Sequence, residues 1–255
     1  MLIDTHAHIY DEQYGDGGKA IIADMEADGL GAVISVGCDE QTSRICVELA
    51  ENNKNIYATV GVHPYYPETV TDRCIASLRA LAKSEKVVAV GEFGFDYHHD
   101  VFDKAAQMRA AVMQYELARE LKLPVVFHVR EAAGDFCAFS KDRAFPESGV
   151  MHCFSGSRET AEYCIKKGLY ISFGGKLTYK NSKTMAEVAA SVPIEHILLE
   201  TDAPYLTPSQ KLGELNYPKY VAYVRDKLAE LRGMTPEDVE RVTTDNARRL
   251  FGITL

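Results

Sequence analysis

His6 and His8 stand one residue apart in Met1-Leu2-Ile3-Asp4-Thr5-His6-Ala7-His8. Leu2 and Ile3 open an apolar run too short for anything but a strand. Side chains at i and i+2 share one face of an extended segment. The two imidazoles can therefore meet at one point just past a strand. Neutral imidazole is a borderline ligand that suits divalent transition ions. A lone His-x-His is also an ordinary surface pattern, so its meaning depends on whether ligand types recur at equivalent places.

They do. Val60-Gly61-Val62 is followed by His63, Val90-Gly91 by Glu92, Phe127 by His128, Met151 by His152, and Leu199-Glu200-Thr201 by Asp202. Five of the eight histidines fall at such ends. His6, His8 and Asp202 make one incomplete ligand set, His128 and His152 another, and Glu92 falls between them. A carboxylate can bridge two cations through its two oxygens. Two ions about 3.5–4 Å apart activate a water and stabilise the oxyanion of a hydrolytic transition state. Both sets leave positions open, as catalytic sites do. Separately satisfied core residues would account for one buried histidine, but poorly for six metal-type residues at successive strand ends.

Other residues carry weaker signals. Cys153 follows His152 and is expected on the opposite face of the strand, packed rather than nucleophilic. Ser155 lacks the G-x-S-x-G elbow of a serine hydrolase. Arg130, Lys176 and Lys180 could hold a phosphate or carboxylate. His98 and His99 read as solvated or substrate-facing. His196 precedes a strand and receives no role.

The elements that must position these residues are legible as alternating patterns. Short apolar runs occur at Leu2–Ile3, Ala32–Val36, Ile56–Val62, Val87–Val90, Val125–Phe127, Val150–Met151, Tyr170–Phe173 and Ile197–Leu199. They are rich in Val and Ile and do not strictly alternate, as expected for strands buried on both faces. Helical patterns such as Lys104–Lys122 and Glu159–Lys167 lie between them. Eight such units with right-handed crossovers predict an α/β fold, a (β/α)8 barrel. The rival open, doubly wound sheet lacks a G-x-G-x-x-G after its first strand. The whole chain, 1–255, reads as one domain. After Thr235 the pattern is helical, with Pro236 at a helix start and Thr244 or Asp245 expected to cap a last helix through Arg248–Phe251.

At 255 residues and 46% hydrophobic, the chain can bury the core of one such barrel. With 37 acidic against 28 basic residues, its net charge of −9 argues against coating nucleic acid or an anionic membrane by a global field. A local positive site made by bound metal remains compatible. The six cysteines form no C-x-x-C pair. With no signal-like segment or membrane-length apolar run, the expected setting is a cytoplasmic protein with reduced thiols and no membrane association. No obligate protein partner is evident.

Taken together, Ile3–His8, Val60-Gly-Val-His-Pro64, Val90-Gly-Glu-Phe-Gly-Phe-Asp-Tyr-His98, Phe127-His-Val-Arg-Glu131, Met151-His-Cys-Phe-Ser-Gly156, Leu199-Glu-Thr-Asp-Ala-Pro-Tyr205 and Asp245-Asn-Ala-Arg-Arg-Leu-Phe-Gly252 resemble the TatD family of metal-dependent hydrolases. The resemblance implies a barrel of the amidohydrolase type and a divalent-metal-dependent deoxyribonuclease, often a 3′→5′ exonuclease on single-stranded ends. It implies that His6, His8, Glu92, His128, His152 and Asp202 hold two metal ions. His63 would line the site and touch the substrate phosphate. The donor set suits Zn, Mn, Fe or Co, with Mg able to support activity in an assay. Asp202 would take the proton of the attacking water, making Asp202, Glu92 and His63 the catalytic group.

One stretch departs from the family pattern. An Arg-Gly-x-x-Asn-Glu-Pro segment usually follows the Asp-Ala-Pro-Tyr motif. Here it reads Leu212-Gly213-Glu214-Leu215-Asn216-Tyr217-Pro218. Leucine cannot clamp a phosphate as arginine does, whereas Tyr217 offers a ring on which a base could stack. The loop is expected beside the metal site. Single-stranded or end-frayed nucleic acid is thus expected to bind weakly, its phosphate met by Arg130, Lys176 or Lys180. Hydrolysis of a small ester, amide or lactone is the alternative activity, and a non-catalytic metal-binding barrel the alternative of another class.

Overall fold

Valine- and isoleucine-rich runs become eight strands in the computed structural model, which describes residues 1–98 and 102–254. His99 lies outside the described residues. The strands are β1 Leu2–Ala7, β2 Leu30–Val36, β3 Ile56–Val60, β4 Val87–Asp96, β5 Val125–Arg130, β6 Gly149–Met151, β7 Tyr170–Phe173 and β8 Ile197–Leu199. They pair in parallel in chain order. Between them run α1 Lys19–Asp24, α2 Glu40–Asn52, α3 Asp72–Leu81, α4 Lys104–Leu121, α5 Ala133–Ser140, α6 Arg158–Lys166 and α7 Lys183–Ser191, with α8 Val221–Arg232 and α9 Pro236–Phe251 after β8. The fold is the expected (β/α)8 barrel.

The sheet closes on itself between β1 and the chain just after β8. Ala7 bridges Ala203. The His8 N–H donates to the Ala203 carbonyl at 2.7 Å, and the Asp202 N–H to that of His6 at 2.9 Å. Below this bridge the seam is pinned by side chains. The buried Asp4 carboxylate accepts from the Thr201 hydroxyl at 2.5 Å and the Thr201 N–H at 3.0 Å. The Thr5 hydroxyl donates to the Leu199 carbonyl at 2.9 Å.

Two apolar clusters support the barrel. The larger packs helices onto the sheet, and its biggest buried rings include Phe93, Phe127, Phe136 and Phe139. The smaller joins Ile3, Ile34, Val126 and Leu198 to Leu250 and Phe251, so α9 covers the end of the barrel opposite the ligand residues. Among the described residues no helix is long and apolar enough to cross a membrane.

Three sequence expectations change. β4 and β5 run on to Asp96 and Arg130, so Glu92 and His128 lie within strands rather than after them. A polar residue broke each apolar run in the sequence, but Phe93 pairs with Phe127 and Gly94 with His128, which continues the ladder. Gly94 makes that continuation feasible: its φ is +148°, and a Cβ there would collide with the His128 carbonyl oxygen. Neither Thr244 nor Asp245 is a cap, because α9 is unbroken from Pro236 and is capped by Thr235, whose hydroxyl accepts from the Asp238 N–H. Cys153 does not point away from the mouth. β6 ends at Met151, and Cys153, at φ +47°, turns back so that it lines the central cavity.

Candidate metal centre

β1, β4, β5 and the segments after β1, β6 and β8 bring six predicted donors to one place. Glu92 stands in the middle. Its Oε1 lies 3.5 Å from His6 Nε2 and 3.7 Å from His8 Nε2. Its Oε2 lies 2.9 Å from His152 Nε2 and 3.2 Å from His128 Nδ1. Asp202 Oδ1 closes the first side, 3.4 Å from His8 Nε2 and 3.7 Å from His6 Nε2. The two carboxylate oxygens of Glu92 thus face two different pairs of imidazoles.

Among the described residues, three overlapping groups have ligand atoms close enough to share one ion: His6, His8 and Glu92; His6, His152 and Asp202; and His63, Glu92 and His128. The donor chemistry fits a divalent ion. His6 is 1% exposed, and neither ring nitrogen has a hydrogen-bond partner among the described residues. A buried polar atom left so costs about 1–3 kcal/mol, and a cation would satisfy it.

The charge balance points the same way. Burial works to raise Glu92, but the imidazoles of His152 and His6 hold it well below the usual carboxylate range. Burial works to lower His152, but Glu92 and Glu200 carry it well above the imidazole range. The carboxylates call for positive charge here, and a divalent ion supplies it directly.

Two of the imidazoles are held from behind by hydrogen bonds, and a third has a carboxylate behind it. His8 Nδ1 lies 3.1 Å from the Val36 carbonyl, which leaves Nε2 facing inward. The His128 Nε2–H donates to Asp96 at 2.8 Å, so its Nδ1 is the inward atom. His152 Nδ1 lies 3.6 Å from Glu200, whose Oε1 also accepts from the Cys153 N–H at 2.6 Å. Sequence reading gave neither Asp96 nor Glu200 a role. The available signal was even spacing: Asp96 is four residues beyond Glu92 on one strand, and Glu200 two before Asp202.

His63 lies at the edge of the cluster. Its Nδ1 accepts the Tyr65 N–H at 3.1 Å, so Nε2 carries the hydrogen and points to within 3.3 Å of His128. Burial, then the neighbouring His128, lowers it to about 3. His63 is therefore a neutral hydrogen-bond donor aimed into the site, and in this arrangement neither of its nitrogens offers a lone pair to an ion.

Above the cluster opens a cavity of about 550 Å³. Tyr65, Tyr66 and Tyr205 are the half-exposed tyrosines of its rim. Arg130 and Lys176 are the cations of its wall, on the β5–β7 side, while Asp11 and Asp39 stand on the β1–β2 side. Lys180 is exposed and does not line the cavity. His98 pairs with Glu131 at 2.6 Å on the surface.

The loop after β8 also departs from expectation. Leu212, Leu215 and Tyr217 line no part of this cavity. Asn216 draws the segment down: its buried amide donates to the carbonyls of Thr201 and Tyr205, at 2.9 and 2.5 Å. Tyr217 then packs against Tyr14 and Tyr220 rather than offering a free face. Leu212 is left 66% exposed, outside the cavity.

The family model described as TatD related DNase matches residues 3–252. A Bacillus subtilis (strain 168) protein described as the uncharacterized metal-dependent hydrolase YabD is 41% identical, over 99% of this chain and 100% of its own length. A Citrobacter rodentium (strain ICC168) protein described as the 3'-5' ssDNA/RNA exonuclease TatD is 30% identical, over 100% of this chain and 99% of its own. The crystal structure of YJJV, a TatD homolog from Escherichia coli K12, superposes with a TM-score of 0.94 at 31% identity, covering 99% of this chain and 98% of that one. With the fold, the donor cluster and these similarities in agreement over the full length, the chain belongs to the TatD family of metal-dependent hydrolases.

Proposed function

We propose that this protein is a phosphodiesterase that removes nucleotides from nucleic-acid ends, with His6, His8, Glu92, His128, His152 and Asp202 as ligands of two divalent ions. The observation that carries the reading is the division of Glu92 between two imidazole pairs, beneath a cavity whose cations are Arg130 and Lys176. When bound, two ions of the Zn, Mn, Fe or Co type supply charge for a phosphate oxygen and lower the pKa of a water.

The chain's own residues do the rest. Asp202 keeps a carboxylate at the site. Burial works to raise it, but hydrogen bonding to His8 and the charge of His6 hold it below the usual range, so it can accept the water's proton. His63 donates through Nε2–H to a phosphate oxygen. Arg130 and Lys176 hold the charge of the next phosphate along the strand. Tyr65 and Tyr205 give bases a surface for stacking. Two wall cations in an acidic protein suit a short or frayed end better than a long duplex.

A substrate screen tests this. Metal-reconstituted protein is assayed against a single-stranded oligonucleotide, bis-p-nitrophenyl phosphate, p-nitrophenyl acetate and a lactone. Phosphodiesters should be hydrolysed, with mononucleotides released from the oligonucleotide. Turnover of only the acetate or lactone would replace this reading with carboxyl-ester hydrolysis.

A further inference from the structure

The barrel wall splits between β3 and β4. Val60 pairs with Val90, and no strand pairing between the two follows. β4 nevertheless runs six residues further, to Asp96, and the β3 chain continues past Val62 to His63. The backbone groups of Val62 and Asp96 that face the split would have no strand partner, and buried backbone polar groups must find one.

Two glutamines of α4 fill the gap. Gln107 accepts from the Asp96 N–H at 2.9 Å and donates to the Asp96 carbonyl at 3.0 Å. Gln114 does the same for Val62, at 2.7 and 3.0 Å. Each amide reproduces the pair of bonds a neighbouring strand would make. Gln107 and Gln114 are 2% and 0% exposed and lie two turns apart on one face of α4. A buried glutamine on a helix that packs against a sheet is otherwise a poor choice, since a leucine would serve the packing better.

What lies beyond each amide differs. Asp96 carries on to His128: its Oδ2 accepts from Nε2–H, which turns Nδ1 toward Glu92 and His152. Val62 precedes His63. We propose that Gln107 is a positioning residue for the metal centre, acting through Asp96 on His128, while Gln114 positions His63 alone. This rests on the metal reading of the site. A carboxylate behind a ligand histidine fixes ring orientation and tautomer, and its loss typically costs about 10–100-fold in metal affinity.

The test uses the whole chain, stripped of metal and titrated with Co(II), read by visible absorption and calorimetry. Melting of the metal-free proteins is followed in parallel. Asp96→Asn keeps both bonds to Gln107 and should weaken Co(II) binding by about 10–100-fold. Gln107→Met should weaken it comparably, and the double variant by little more than either alone, because both act through one chain of contacts. Gln114→Met removes the same two backbone bonds from the same helix. It should lower melting like Gln107→Met while leaving Co(II) affinity within about threefold of the parent.

Parent-like affinity in Gln107→Met, or an equal loss in Gln114→Met, would overturn the assignment. Should Gln107→Met not fold, parent-like affinity in Asp96→Asn overturns it alone. A parent protein that binds no Co(II) would refute the metal reading, and this inference with it.

Discussion

His6 and His152 lie stacked, ring centroids 3.9 Å apart and planes within 11° of parallel. One belongs to the first strand, the other to the turn after the sixth. Two buried imidazoles repel when charged, and burial and His152 together lower His6. Both ring nitrogens of His6 nevertheless lack a hydrogen-bond partner among the described residues. Such a pair is expensive unless an acceptor of electron pairs sits between the rings' edges and the carboxylates.

Metal is therefore expected in protein purified without chelator, at one to two ions per chain, as Zn, Mn, Fe or Co by elemental analysis. Removing it should lower the melting temperature. A ligand at about 100 times its Kd stabilises by about 2.7 kcal/mol, which is several degrees for a chain of this size. Protein that carries no metal and melts identically with and without added Zn or Mn would contradict the six-ligand reading.

Asp202→Asn should reduce turnover by about 10²-fold or more, on the scale of a lost general base. The change preserves size, and Asp202 makes its seam bond to His6 through the backbone N–H. The melting temperature of the metal-free protein should therefore move little. Turnover within a few-fold of the parent would remove Asp202 from its role.

Lys176 lines the cavity, whereas Leu212 stands outside it. Lys176→Ala should weaken binding of a single-stranded oligonucleotide and reduce the salt slope by about one. Leu212→Arg should alter neither quantity, although the family pattern alone would have predicted tighter binding. A salt titration by fluorescence anisotropy separates the two outcomes.

Gly94→Ala should be among the costliest single methyl additions. Strain at its positive φ amounts to about 1–3 kcal/mol, and the collision with the His128 carbonyl adds overpacking of about 1–3 kcal/mol. Denaturant unfolding should show the loss, and metal content should fall with it, because the strand that must shift carries His128.

The barrel was legible because its strands are buried on both faces and separated by helical patterns. The donor residues were legible because parallel barrels present chemistry at one end of every strand. Asp96, Gln107 and Gln114 were not. A glutamine inside a helix looks like any polar surface residue until the helix is docked. What it satisfies, two backbone groups of a strand far from it in sequence, has no local signature. The post-β8 loop misled for a related reason. Family spacing placed Leu212 and Tyr217 near the site, but the two carbonyls that capture Asn216 are known only once the chain has folded.

The seam between Asp4 and Thr201 fixes when the centre can exist. His6 lies in the opening strand and His8 just past it, and Asp202 follows the closing one, so no early portion of the chain holds a full set of donors. Chain emerging N-terminus first leaves its leading strand without a partner on one edge until the eighth strand arrives. Contacts so distant in sequence are slow to form. An ion captured before then would lack Asp202 and the closed seam behind His6 and His8, and capture by the complete set coincides with ring closure. The complete donor set is thus assembled only in the finished chain, and depletion of metal should act on the last stage of assembly rather than the first.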